Sequence, residues 1–162
     1  AEAVPAYDGC LALRPDEPRY VLEAARTGAR LVNGDYGAIA PRPDLLPEAL
    51  ALLRRAATLN PRDARPWREL GHLLLQFDDP EGGIDALRQA ATLAPTQAVA
   101  QLDLARALTR LGQLEPALAA SRAALALEPQ RDGAAFAVRL LERWAEARRA
   151  GPFHATIARD EP

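Results

Sequence analysis

Residues 64–95 read ARPWRELGHLLLQFDDPEGGIDALRQAATLAP, and residues 98–129 read AVAQLDLARALTRLGQLEPALAASRAALALEP. Laid one on the other, they put Leu70 on Leu104, Leu74 on Leu108, Ala90 on Ala124 and Leu93 on Leu127. The prolines that close successive units, Pro61, Pro95 and Pro129, stand 34 residues apart. Within each copy the apolar residues recur at helical spacing in two stretches separated by a turn, the pattern of two amphipathic helices. One such pair cannot bury its apolar face alone, so copies must stack on each other in a linear array.

Toward the N-terminus, Asp63 caps the helix that carries Pro66 in its first turn, where a missing N–H costs nothing. Residues 45–59 form the partner helix of the preceding unit, with Ala49, Leu53, Ala56 and Leu59 in the apolar slots. Asp16-Glu17-Pro18 opens that unit's first helix with a capping acid. From Pro15 to Pro61 is 46 residues, 12 more than the period. The excess falls in residues 33–44, whose glycines and prolines forbid a regular helix. This stretch, with Tyr36 and Ile39, should leave the array as a surface loop. Residues 1–13 repeat the second half of a unit: Ala3, Tyr7, Cys10 and Leu13 are spaced as Gly83, Leu87, Ala90 and Leu93. Cys10 then takes a slot for a small buried side chain, and a reactive thiol is the weaker reading. Toward the C-terminus, Asp132 caps a last helix with no partner after it, ended by Gly151-Pro152. The spacing predicts helices near 4–13, 18–32, 45–59, 64–77, 80–93, 98–111, 115–127 and 132–149, and no strand.

Trp67-x-x-Leu70-Gly71-x-x-Leu74, followed by Gly83, Leu87, Ala90 and Pro95, resembles the tetratricopeptide repeat (TPR) family, and the resemblance covers roughly residues 1–150. Gln101 stands where Trp67 stands, Gly83 replaces the usual alanine, and the Gly-rich insertion is similar to the long loop of Sel1-like repeats. The resemblance implies an all-α fold, a right-handed superhelical solenoid of antiparallel helix pairs. Its parts would be a half repeat at 1–15, a repeat with the 12-residue insertion at 16–61, repeats at 62–95 and 96–129, a capping helix at 132–150 and a tail at 151–162. It further implies a concave face lined by each repeat's first helix, where an extended peptide or a partner's helix binds.

Composition narrows the function. The net charge is −2, so bulk charge favours neither nucleic acid nor membrane, and no apolar run is long enough to span a bilayer. All twenty basic residues are arginine and methionine is absent, a usage that suits a GC-rich bacterial source. The opening Ala1-Glu2-Ala3 suits the mature side of a signal-peptidase cut, which favours a periplasmic or secreted location over a cytoplasmic one. Two histidines, one cysteine and Ser121 are a poor stock for catalysis. Ser121 stands where Leu53 and Leu87 stand, so it faces a neighbouring helix. His72 and His154 lack metal-ligand spacing, and Asp78-Asp79 reads as a cap and its neighbour. No phosphate-binding glycine loop is present. No catalytic residue, metal or cofactor is expected.

What remains is the groove. The family's groove-facing slots hold Arg19, Leu22, Arg26 and Arg30 in the second repeat. They hold Arg65, Arg68, His72 and Gln76 in the third, and Val99, Leu102, Arg106 and Arg110 in the fourth. On the capping helix they hold Phe136, Leu140, Arg143 and Trp144. Arginine suits bidentate recognition of carboxylates. Glu69 and Asp103 fall one step off this face. Two readings stand side by side: an arginine groove for an acidic or carboxylate-ended segment, and a solvated face whose arginines pair with Glu69, Asp103 and Glu142. Phe136 and Trp144 are read as closing the core at the array's end, ahead of anchoring a ligand. Acids at Glu69 and Asp103 argue against the clamp by which chaperone-binding members hold a C-terminal carboxylate. The expected function is a non-enzymatic protein-binding adaptor, with oligomerisation through the array ends open to it. The alternatives are a helical-repeat nucleic-acid binder, or the repeat part of a larger enzyme or secretion-system chain.

Overall fold

The computed structural model describes residues 16–34 and 40–149. These residues form seven α-helices and one short 3-10 turn, with no strand among them. The helices are α1 (Pro18–Asn33), α2 (Leu46–Leu59), α3 (Ala64–Gln76), α4 (Pro80–Leu93), α5 (Ala98–Arg110), α6 (Leu114–Leu127) and α7 (Asp132–Arg149). Each agrees with the helix expected from the period to within a residue or so. The expected helix at 4–13, Cys10, Tyr36, Ile39 and the tail lie outside the described residues.

Helices pack in antiparallel pairs, α1 on α2, α3 on α4 and α5 on α6, with each pair stacked on the next and α7 closing on α6. The equivalent slots explain the tightness. Ala56, Ala90 and Ala124 are all buried, as are Ala49, Gly83 and Ala117, so small residues let the paired backbones approach. The closest approach is in α3–α4. A Cβ on Gly71 would meet Leu87 Cγ at 2.6 Å and the Gly83 carbonyl at 2.9 Å, and one on Gly83 would meet Leu75 Cγ at 2.6 Å. Glycine at 83, where alanine is usual, is thus explained by the bulk of Leu75.

Local signals position the helix starts. The Asp63 carboxylate accepts the Arg65 N–H at 2.9 Å, and the Asp79 carboxylate accepts the Gly82 N–H at 2.9 Å. The expected cap at Asp16 does not form. Glu17 occupies the cap position without a side-chain bond, and Asp16 instead takes a 2.6 Å hydrogen bond from Arg55 of α2. Trp67 is partly buried. It packs on the cluster that contains Leu70 and Leu74, while Leu87 belongs to the next cluster along the array.

The described ends of the insertion fold back on α1. Gly34 takes the left-handed conformation (φ 76°) that ends α1, and its N–H caps the Arg30 and Leu31 carbonyls. Pro41 packs against Gly34 where a Cβ would sit, and the Arg42 N–H donates to the Leu31 carbonyl at 2.8 Å. The Arg42 guanidinium forks the Asp44 carboxylate and holds its pKa below the ordinary range.

Candidate partner-binding groove

First helices touch in succession, α1 with α3 and α3 with α5. No comparable set of contacts links α2 to α4 or α4 to α6 among the described residues. A stack whose first helices are drawn together and whose second helices are splayed curves with the first helices inside. Side chains of α1, α3 and α5 that clear this seam therefore line the concave side.

Not all the expected groove slots are open. Leu22 and Leu102 are buried and belong to the core. Of the other groove side chains, Arg26, Arg68, His72 and Arg106 form one chain of contacts, and the acids sit in its middle rather than off to one side. Arg26 Nε lies 3.4 Å from Glu69 Oε1 across the α1–α3 seam. The His72 Nε2–H donates to Asp103 Oδ2 at 3.1 Å across the α3–α5 seam. Arg68 approaches Asp103 at 3.8 Å, and Arg106 approaches it from its own helix at 3.4 Å. Asp103 is only 7% exposed, so it is a carboxylate taken out of water and held by the Arg68 and Arg106 guanidiniums and the His72 imidazole. A residue one step from the groove line points at the neighbouring first helix, and this displaces both acids from the expected position. The signal was present in the sequence: Glu69 and Asp103 are themselves 34 residues apart.

The remaining arginines part company. Arg65 turns onto Asp63 as a fork, with bonds of 3.0, 3.1 and 2.8 Å, and this holds the Asp63 pKa below the usual carboxylate range. It borders a separate shallow cleft of about 260 Å³ with Arg62, Arg68 and the α4–α5 turn. Arg19, Arg30 and Arg110 are exposed, and neither Arg19 nor Arg110 has an acidic partner among the described residues. Glu142, expected to neutralise a groove arginine, takes its hydrogen bond from Arg122 of α6 at 2.6 Å.

The capping helix corrects a second expectation. Its core stripe is Ala134, Val138, Leu141 and Ala145, while Phe136 is 61% exposed and Trp144 45% exposed. Neither aromatic closes the core. The α5 and α7 backbones also lack the close approach that joins α1 to α3 and α3 to α5. Between them lies a cavity of about 580 Å³, floored by Leu75, Leu102, Leu141 and Ser121, and rimmed by His72, Arg106, Arg110 and Phe136. Ser121 is fully buried, as Leu53 and Leu87 are in the equivalent slots, and its hydroxyl has no hydrogen-bond partner. Among the described residues no group of three metal-ligating side chains forms, and no helix is long and apolar enough to cross a membrane.

Residues 98–131 match the tetratricopeptide repeat family model. The fold is a TPR-like solenoid. A MamA protein superposes with a TM-score of 0.70 at 22% identity, over 91% of this chain and 74% of that one. A thermophilic TPR protein of Thermus thermophilus gives 0.66 at 22% identity, over 87% of this chain and 69% of that one. YrrB, described as a TPR protein with an unusual peptide-binding site, gives 0.64 at 19% identity, over 88% of this chain and 67% of that one. A comparison with curated protein sequences finds no match.

Proposed function

We propose that this chain is a non-enzymatic interaction module that holds an acidic segment of a partner protein along the inner face of its first helices. The observation that carries this reading is the succession of arginines along one face, exposed Arg26 on α1, half-buried Arg68 on α3, and exposed Arg106 and Arg110 on α5, with the His72 imidazole among them. Glu69 and Asp103 neutralise part of this charge and fix the side chains in place. The four arginines still outnumber the three acids that touch them, Glu23, Glu69 and Asp103. Held guanidiniums lose less conformational entropy on meeting a carboxylate than free ones do. A positive face on a chain of net charge −2 steers acidic partners toward that face. The description of YrrB as a peptide binder supports a peptide as the ligand class for this architecture.

Arg68, Arg106 and Arg110 replaced together by Gln test the reading. Each charge-assisted bond to a ligand is worth about 1.5–3 kcal/mol, so binding of a glutamate-rich probe peptide should weaken by two or more orders of magnitude while helicity is kept. Unchanged affinity in a folded triple variant would leave the arginines as a solvated face.

A further inference from the structure

The seam follows a rule that fails at its last step. Arg26, His72 and Arg106 occupy equivalent slots of α1, α3 and α5, and Glu69, Asp103 and Ala137 occupy equivalent slots of α3, α5 and α7. Each of the first two donors reaches forward to the acid of the next first helix: Arg26 to Glu69 at 3.4 Å, then His72 to Asp103 at 3.1 Å. At the third step the acid is replaced by Ala137, which borders the α5–α7 cavity. Arg106 keeps only the contact to the acid three residues back on its own helix, Asp103 at 3.4 Å, a contact Arg26 also makes to Glu23 at 3.2 Å; it lacks the forward acid and stays 69% exposed, and Arg110, one turn further on, meets no acid among the described residues. A second rule fails at the same place. The slot that holds fully buried Leu53 and Leu87 holds Ser121, smaller by two heavy atoms, which lies against the cavity with its unpartnered hydroxyl sealed from solvent beneath the lining. Lost charge and lost apolar volume therefore coincide in one cavity, beside an exposed Phe136 ring.

We propose that this cavity receives a leucine- or phenylalanine-sized side chain of the partner segment, and that an adjacent Asp or Glu of that segment supplies to Arg106 and Arg110 the carboxylate that Ala137 lacks. The apolar floor of Leu75, Leu102 and Leu141 takes the side chain, and Phe136 covers it from the α7 side. The occupant is an internal acidic-apolar pair, because two arginines one turn apart on an open rim meet a side-chain carboxylate without needing a chain end. This assignment rests on the groove reading above and gives it a specificity: charge alone does not suffice, and one apolar anchor must stand beside the acid.

The test uses the full chain and short fluorescein-labelled peptides, acetylated and amidated, of Gly and Ser with a central Phe-Glu, Phe-Gln, Ala-Glu or Glu-Glu pair. Fluorescence anisotropy reads affinity. The Phe-Glu peptide should bind tightest, with Phe-Gln and Ala-Glu each weaker by about tenfold, the equivalent of one lost contact. Two variants refill what the repeat lost: Ala137→Asp restores the acid and Ser121→Leu restores the apolar volume. Each should weaken the Phe-Glu peptide about tenfold while the variant stays folded by far-UV circular dichroism, the added Leu displacing the lining over Ser121 into the cavity. Equal binding of Phe-Glu and Phe-Gln, or wild-type affinity in both folded variants, overturns the proposal. If Glu-Glu binds the wild type and both refilled variants but not the Arg68/Arg106/Arg110 triple variant, the groove reading stands and the cavity assignment falls. If none of the four peptides binds, both fall. A concentration-dependent dimer abolished by Ala137→Asp, or tighter peptide binding after removal of residues 150–162, would assign the cavity to a second copy or to the chain's own tail, against the proposal.

Discussion

Replacing Asp103 by Asn should make the protein less stable and a better binder of acids. The carboxylate is 7% exposed and touched by His72 at 3.1 Å, Arg106 at 3.4 Å and Arg68 at 3.8 Å. Asn keeps the shape and one acceptor but removes the charge. Of the three contacts only that from His72 has hydrogen-bond length without relying on a long guanidinium approach, and a charged hydrogen bond is worth about 1.5–3 kcal/mol. The buried carboxylate's own desolvation offsets part of this, so the net loss of stability should be about 1–2 kcal/mol. Removing one negative charge also raises the potential over the groove. A ligand carboxylate about 7 Å away, at an effective dielectric constant of about 40, gains roughly 1 kcal/mol, about fivefold in affinity. Urea denaturation and a glutamate-rich peptide titration at low salt read the two quantities. The gain should shrink as salt is added, because the interaction is screened. Weaker peptide binding in Asp103→Asn at full folding would refute the reasoning, since it would put Asp103 in contact with the ligand.

Other expectations concern the scaffold. Gly71→Ala should destabilise by about 1–2 kcal/mol, because its Cβ would press within 2.6 Å of fully buried Leu87, a clash that outweighs the gain in helix propensity. Gly133→Ala, with nothing within 4 Å of its Cβ, should instead be neutral or stabilising by up to about 0.5 kcal/mol, and paired denaturation midpoints check both signs. Asp63→Ala removes the α3 cap and should cost about 1 kcal/mol. The Arg65 fork lowers the folded-state pKa of Asp63 below its unfolded value, so the stabilisation is complete above the ordinary carboxylate range and is lost as pH falls through the folded pKa. An acid titration of the denaturation midpoint should therefore be less steep in Asp63→Ala than in the wild type. Deleting residues 35–40 of the insertion should leave the far end of the array folded, because the described contacts of its ends reach only α1 and α2; loss of cooperative unfolding throughout would contradict this.

The helices, their pairing and the small-residue slots were legible in the sequence because they follow from one-dimensional regularities: a 34-residue period, prolines at unit ends and apolar residues at helical spacing. What the sequence hid depends on how far apart helices stand. Asp103 looked off the groove face because a helical wheel carries no information on the neighbouring helix, and only the close approach of α3 and α5 turns that position into a partner for His72. Asp16 read as a local cap, but its partner Arg55 lies 39 residues away. Phe136 and Trp144 read as core because the last helix has no following copy to align with. Its Ala134, Val138, Leu141 and Ala145 stripe takes that role and leaves both rings in solvent. Of the expected site, Arg26, Arg68, His72 and Arg106 come together, while Arg65 leaves the line to serve its own helix start.

Amide chemical-shift mapping of the full chain with a glutamate-rich peptide tests the central claim most directly, because it reports which face is occupied residue by residue. Shifts should concentrate on α3, α5 and the adjoining side of α7, around Arg68, His72, Arg106, Arg110 and Phe136, and should fade as salt is raised. Shifts concentrated instead on the outer helices α2, α4 and α6, with the α3 and α5 amides unmoved, would contradict the claim that this chain binds acidic segments along its inner face.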